Sequence, residues 1–373
     1  MTAFSPAAWY APDAQKNASW IQRLTADEVA SFDAALAHAK ATGKSFLDLA
    51  QEDFPLSPAA RAALDRAIAA TQGRWGMCLL KGFPVDKWTE DDTRLAYWCM
   101  GLHMGVARTQ NRASEFLNDV RDIGAAYKTR NGRGYNTNAA LDFHTDSSDV
   151  VALLCRRAAR SGGQSKVVSS IALRDEVRRR RPDLEPVLRQ RFYFSYQGAQ
   201  DPAQPPYYGL SILGNHPDHF AFRTNRKNIV AAQADFDTVP RLTGPQQDAL
   251  DLLDELLTDP QLCFSMSLEP GDMQLLNNYV TVHSRTHFED YEEMDRKRHL
   301  LRLWLAVPSA QALPDDWAEY FDDVRAGAVR GGLRGAARPE AFAVFEARQA
   351  AAMGMPLRAW TPGVPAPASA MAD

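Results

Sequence analysis

His144 and Asp146 stand two residues apart in the stretch Leu141-Asp142-Phe143-His144-Thr145-Asp146-Ser147-Ser148-Asp149. On a β-strand both side chains leave the same face. An imidazole and a carboxylate side by side can grip one divalent metal ion. The pair alone says little: with 8 His in the chain, roughly 0.7 His-x-Asp matches are expected by chance. A second chemical signal lies downstream. Arg298, Leu300, Arg302 and Trp304 share one face of an apolar stretch, and His299, Leu301, Leu303, Leu305 and Val307 share the other. Two arginines on one face of such a strand need counter-charges. Core carboxylates could supply them, or an anionic ligand in a pocket could.

Other chemistries find little support. Cys78, Cys99, Cys155 and Cys263 are far apart and form no C-x-x-C pair, so buried reduced thiols are expected rather than a zinc knuckle or a redox motif. There is no internal repeat and no glycine-rich phosphate loop. The formal net charge of −4 lacks the basic character of a nucleic-acid binder. The run Arg178-Arg179-Arg180-Arg181 reads as a solvated helix end. His216 and His219 fall in a turn, His287 in a loop near the arginine strand, and His299 is expected to face outward. Residues 1–10 lack a basic region followed by an apolar core, and no apolar run approaches the roughly 18 residues of a membrane span. A cytoplasmic protein is expected, with a small molecule as its partner rather than nucleic acid or a membrane, and with homo-oligomerisation left open.

The elements that must position these residues can be read from their boundaries. The hydrophobic fraction of 45 % and charged fraction of 24 % over 373 residues suit a globular chain of one large or two ordinary domains. Thr25-Ala26-Asp27-Glu28 is a capping box opening a helix to about Lys40, stopped by Gly43. Ser57-Pro58 opens a second helix and Thr89 a third, to about Gly105. Met77–Leu80 is a short buried strand. Trp9, Tyr10 and Trp20 are expected to dock the N-terminal arm. A polar, glycine-rich loop over 132–135 delivers the strand of His144 and Asp146. Val150–Cys155 and Ser165–Ser169 read as strands of a hairpin-like unit around the turn Ser161-Gly162-Gly163-Gln164. A helix broken at Pro182 covers 175–191, strands cover 192–196 and 220–225, and Thr243 caps a helix with Leu250, Leu253 and Leu257 on one stripe. Strands over 262–268 and 273–283 flank Glu269-Pro270-Gly271-Asp272. The arginine strand runs from Arg298 to Val307 and ends at Pro308. Residues 314–355 read as helical with a break at Gly331–Gly335, and the Pro/Ala-rich residues 361–373 as disordered.

In order, the chain therefore carries His144-x-Asp146, Gly162-Gly163-Gln164-Ser165, His283, Arg298 and Arg302. This set resembles the Fe(II)- and 2-oxoglutarate-dependent dioxygenases of the taurine dioxygenase (TauD/TfdA) superfamily, which includes γ-butyrobetaine hydroxylase and clavaminate synthase. The resemblance runs from about residue 75 to 308. It implies a mainly β fold, a double-stranded β-helix (jelly roll), with flanking helices: residues 1–74 a helical segment packed on the core, 75–308 the core, 309–360 a C-terminal helical segment, 361–373 the tail. It implies His144, Asp146 and His283 as iron ligands. Ser165 takes the place of a hydroxyl residue, commonly threonine, that contacts 2-oxoglutarate. Arg298 matches the arginine that binds the distal carboxylate of 2-oxoglutarate, and Arg302 the second arginine, which meets the substrate's anionic group.

The chemistry is consistent with that set. Two His and one carboxylate on one face of iron leave adjacent positions open. 2-Oxoglutarate would occupy two of them and O2 the third. Its decarboxylation to succinate and CO2 would yield an oxidant for a substrate C–H bond, which the protein positions and shields. A planar guanidinium suits the remaining carboxylate of the cosubstrate. Because Asp146 keeps the carboxylate that related halogenases lack, hydroxylation of a small anionic or zwitterionic metabolite is expected. The competing reading is a metal-dependent jelly-roll isomerase or hydrolase that does not use 2-oxoglutarate. It would need the metal but not Arg298.

Overall fold

The computed structural model describes residues 5–125, 134–335 and 340–358. Its strands are β1 (Ile21–Arg23), β2 (Met77–Lys81), β3 (Val106–Arg108), β4 (Leu117–Val120), β5 (Leu141–His144), β6 (Val150–Arg157), β7 (Ser161–Gly162), β8 (Ser165–Ser169), β9 (Arg191–Ser195), β10 (Tyr207–Ser211), β11 (Phe264–Met266), β12 (Asp272–Asn277), β13 (Thr281–Arg285), β14 (Phe288–Glu289) and β15 (His299–Ala306). Its α-helices are α1 (Ala11–Lys16), α2 (Ala26–Thr42), α3 (Pro58–Thr71), α4 (Glu90–Met104), α5 (Ser170–Arg180), α6 (Glu185–Leu188), α7 (Arg226–Asp235), α8 (Gly244–Thr258), α9 (Ala318–Phe321) and α10 (Glu340–Ala352). No helix of the described residues is long and apolar enough to cross a membrane.

The large sheet runs β1-β2-β12-β6-β15-β3, with β4 also paired to β15, and the small sheet runs β11-β8-β13-β5. Both faces of the large sheet are covered, which is why its strands read as continuous apolar runs. Met77 and Leu79 of β2, Val151 of β6 and Trp304 of β15 join a core with Val167, Val168 and Val282 of the small sheet. The alternate residues Cys78, Leu80, Ala152, Leu154, Leu301, Leu303 and Leu305 pack with Phe32, Leu64 and Trp98 of the helical layer α2–α4. Gly101 lets α4 lie directly on β15, because a methyl group there would come within 2.8 Å of Leu303 Cδ1.

Local signals explain the helix ends. Thr25 and Glu28 close a capping box at α2, and Gly43, at φ 64°, ends it in the left-handed region that glycine favours. Ser57, Thr89 and Thr243 accept backbone N–H groups at the starts of α3, α4 and α8. Trp9 is buried, its indole donating to the Trp75 carbonyl at 2.9 Å, so the N-terminal arm is docked. The run Arg178–Arg181 closes α5 and pairs with Glu176, Glu185 and Asp183.

Several expectations are corrected. The stretch from Met273 to His283 is two strands in different sheets, because Asn277 and Asn278 turn the chain: Asn277 Oδ1 accepts the Tyr279 N–H at 2.9 Å and Asn278 N–H donates to the Asp149 carbonyl at 3.0 Å. Strands β6 and β8 form no hairpin; β6 pairs with β12 and β15, whereas β8 pairs with β11 and β13. Residues 220–225 form only isolated bridges, Phe222 to Leu213 and Asn225 to His144, and β10 and α7 add to the elements expected from the sequence. The helix read from 175 starts at Ser170, capped by Ser169. Among the described residues the C-terminal segment is α-helical only at α9 and α10, and residues 322–335 form irregular backbone. His299 is fully buried rather than outward-facing, because helix α4 covers that face of β15; its Nε2 lies 2.7 Å from Asp119 Oδ1. Residues 132, 133 and 361–373 lie outside the described residues.

Candidate functional site

His144 is the last residue of β5, so Asp146 lies beyond the strand on a buried loop rather than on its face. The loop is held on every side. Thr145 N–H donates to the Thr224 carbonyl and Asp146 N–H to Asn278 Oδ1, each at 3.0 Å. Arg223 Nη1 donates to the Asp146 carbonyl at 3.0 Å. Ser147 meets the Tyr320 hydroxyl through its side chain, and its carbonyl accepts the Gly332 N–H at 2.6 Å. Gly331 has φ 72°, and a side chain there would collide with that same carbonyl.

This loop brings Asp146 to the two histidines. His144 Nε2 is 3.8 Å from Asp146 Oδ1, and His283 Nε2 is 3.7 Å from Asp146 Oδ2. His283 on β13 and His144 on β5 are register partners, their rings 4.5 Å apart. One ligand atom from each of the three lies within 4.8 Å of the others. His144 Nδ1 is 2.8 Å from the Asp142 carbonyl; donating there leaves Nε2 with its lone pair toward the cavity. Burial and the neighbouring His144 push His283 down to about 3 despite Asp146, so it stays neutral, the form that binds metal. Burial would raise Asp146, but the Arg302 guanidinium beside it outweighs this and holds the carboxylate below its ordinary range. Asp146 Oδ2 is buried with no hydrogen-bond partner, as suits an oxygen that serves a metal. The donor set fits Fe(II).

A cavity of about 180 Å³ opens beside the triad and is lined by Ser165, Arg298 and Arg302 as well. Arg298 precedes β15. Its guanidinium lies 5.0 Å over the Phe288 ring, and its Nη1 is buried without a hydrogen-bond partner. Burial without a paired carboxylate lowers its pKa, against a weak opposing pull from Cys155 and Asp290. Gly163, at φ 69°, leaves room for it, because a Cβ there would come within 3.1 Å of Arg298 Nε. A buried, unpaired guanidinium is costly, and a carboxylate such as the distal one of 2-oxoglutarate would remove that cost. Ser165 Oγ donates to Gln274 Oε1 at 3.0 Å, keeping both oxygen lone pairs available as acceptors. Arg302 Nε donates to Gln110 Oε1 at 2.6 Å, and its Nη1 is 3.8 Å from Asp146 Oδ1. The two arginines therefore have different neighbours. His287 is exposed in a loop, and His216 and His219 pair with each other, outside the cavity lining.

Sequence reasoning missed the residues that hold the triad. Asp149 shares the His144 stretch and is fully buried. Its Oδ1 accepts from Tyr279 and from Arg330 Nε, each at 2.7 Å, and its Oδ2 accepts the Val307 N–H at 2.9 Å. One carboxylate thus joins the Asp146 loop, the β12–β13 turn, the end of β15 and the C-terminal segment. An acid three residues after Asp146 was a visible signal; nothing marked Arg330, Asn278 or Arg223. Arg330→Met should destabilise the fold by about 3–5 kcal/mol by stranding a buried carboxylate. Arg330→Met combined with Asp149→Asn should recover part of that loss, and denaturant unfolding of both variants checks it.

The model of a family described as taurine catabolism dioxygenase TauD, TfdA matches residues 38–304. FR-33289 synthase of Streptomyces rubellomurinus is 31% identical over 304 residues, 80% of this chain and 85% of that protein. Among solved structures, an asparagine oxygenase in complex with Fe(II), 2S,3S-3-hydroxyasparagine and succinate superposes with a TM-score of 0.60 at 17% identity, over 77% of this chain and 93% of that one. The non-haem iron oxygenase OrfP in complex with Fe and α-ketoglutaric acid does so with a TM-score of 0.56 at 16% identity, over 76% and 93%. The two sheets with flanking helices are the double-stranded β-helix expected from the sequence.

Proposed function

Because the chain belongs to the taurine catabolism dioxygenase TauD, TfdA family, we propose that His144, Asp146 and His283 hold its Fe(II), that Arg298 and Ser165 receive 2-oxoglutarate, and that Arg302 receives an anionic group of a small-molecule substrate. The protein is an Fe(II)- and 2-oxoglutarate-dependent oxygenase. Bound iron and 2-oxoglutarate supply oxidation of an unactivated C–H bond by O2, with the cosubstrate split into succinate and CO2; hydroxylation is the outcome inferred here. The observation that carries the assignment is Arg298, a buried guanidinium with an unsatisfied Nη1 in the same cavity as the three ligand atoms. An isomerase or hydrolase that dispensed with 2-oxoglutarate would have no use for it.

The chain's own contributions follow from the geometry. The Asp142 carbonyl fixes the His144 tautomer, burial keeps His283 neutral, and Asn278 holds the Asp146 backbone in place. Leu153, Leu268 and Leu300 line the same cavity as Arg298, and apolar walls strengthen a guanidinium–carboxylate contact. The protein supplied with Fe(II) and 2-oxoglutarate in air should form succinate slowly without any substrate. Absence of succinate from iron-loaded protein would overturn the assignment.

Arg302 admits a sharper test. Arg302→Gln should keep the fold, the iron and substrate-independent succinate formation while losing substrate-stimulated turnover. If iron and succinate formation disappear as well, Arg302 serves only to steady Asp146, and the anionic substrate falls with it.

A further inference from the structure

Arg223 is a buried cation, 3 % exposed, that no anion neutralises. Its Nη1 donates to the Asp146 carbonyl at 3.0 Å and to the Thr145 hydroxyl at 3.4 Å, and its Nη2 donates to the Tyr208 hydroxyl at 3.1 Å. Its Nε has no hydrogen-bond partner. These acceptors are neutral, and burial pushes the Tyr208 hydroxyl up, so it does not ionise to become a counter-ion. Among the described residues no carboxylate pairs with Arg223. Aromatic faces receive the charge instead. The guanidinium stands 4.4 Å from the Tyr320 ring centre, 5.5 Å from that of Phe321 and 6.0 Å from that of Tyr208.

A buried charge is costly, and holding a loop does not require one. Asn278 holds the same loop with a neutral amide, its Oδ1 accepting the Asp146 N–H at 3.0 Å. The charge of Arg223 stands beside the metal position, because the carbonyl it holds belongs to Asp146, whose carboxylate is assigned to the iron. Both Nη atoms are occupied, so Arg223 offers a ligand no fork. Arg298 and Arg302 are assigned anionic partners in the loaded enzyme, whereas Arg223 keeps its charge in every state. A fixed positive charge disfavours the more highly charged of two metal ions, and ferric iron carries one charge more than ferrous. At an effective dielectric of about 20, a unit charge roughly 10 Å away shifts such a one-electron equilibrium by about tenfold or more. Salt screens a buried charge little. Resting on the assignment of iron to the triad above, we propose that Arg223 is a positioning residue whose uncompensated charge biases the resting iron toward the ferrous form.

The test is the Fe(III)/Fe(II) potential of the full chain loaded with iron, titrated under nitrogen with redox mediators and followed by the ferric EPR signal. Arg223→Gln keeps an N–H donor for the Asp146 carbonyl and removes the charge. It should shift the equilibrium toward ferric iron by about tenfold or more, each tenfold being about 59 mV of lower potential. Arg223→Lys keeps the charge without the fork and should stay within about threefold of the unaltered protein. Arg223→Met, uncharged and able to fill the aromatic enclosure, should repeat the glutamine result and carries the test if that variant does not fold. An uncharged variant with the potential of the unaltered protein overturns the proposal, as does Arg223→Lys shifting as far as Arg223→Gln. Loss of iron from Arg223→Lys and Arg223→Gln alike also overturns it, leaving Arg223 a prop for the loop. Iron content of the unaltered protein, measured first, separates the two levels. If the triad binds no iron, both readings fall; if iron is bound and its potential is indifferent to the charge at position 223, only this one falls.

Discussion

His283→Ala abolishes stoichiometric Fe(II) binding and turnover together. The expectation rests on the closeness of three ligand atoms and on the states their surroundings impose. The imidazole is buried and held neutral, the Asp146 carboxylate is held charged, and their facing atoms are 3.7 Å apart. Losing a partner that merely orients a ligand costs about 10–100-fold in metal affinity or activity. Losing one of three ligands removes more than that. His144→Ala should behave the same way, whereas His216→Ala, in a turn outside the cavity lining, should retain both iron and activity. Metal content after dialysis and oxygen uptake are the two measurements. Full iron occupancy with turnover in His283→Ala would show the triad to be misassigned.

Arg298→Ala raises the 2-oxoglutarate requirement without removing the iron. Its guanidinium is buried, stacked over Phe288 and short of one hydrogen-bond partner. A carboxylate received there makes a charge-assisted contact with a buried guanidinium. Truncating one side of such a buried pair costs about 2–5 kcal/mol, so half-saturation should rise by about 30-fold or more. Lysine should restore only part of the loss, because it brings the charge without the planar fork. A 2-oxoglutarate titration of succinate formation checks the prediction, with iron content as the control. Unchanged cosubstrate dependence would remove Arg298 from that role.

Much of the site was legible because its chemistry is written in side-chain type and order. The Gly162-Gly163 turn is an instance: both residues have positive φ, and the second makes room for Arg298. The alternation on β15 also held, placing Arg298, Leu300, Arg302 and Trp304 along the cavity. Side-chain alternation is a property of the strand itself, so it can be read without knowing the neighbours. His299 shows where that reading ends. Alternation put it on the other face correctly, but whether that face meets water depended on helix α4, which lies elsewhere in the chain.

What the sequence by itself determined is the chemical set and its local carriers: His144, Asp146 and His283 as side chains able to ligate a metal, the arginines on one strand face, the helix caps and the apolar strands. Those follow from spacing, from backbone preferences and from the charge a group must carry. The tertiary structure decided how the set is aimed. Met273–His283 reads from sequence as one strand, and it is two because Asn278 binds the Asp146 loop. The same loop reads as strand from the sequence because its supports, Arg223, Tyr320 and Arg330, lie far along the chain. Hydrogen bonds and ion pairs between distant segments leave no periodic trace in either one, and a buried polar group is recognised only once its partner is beside it.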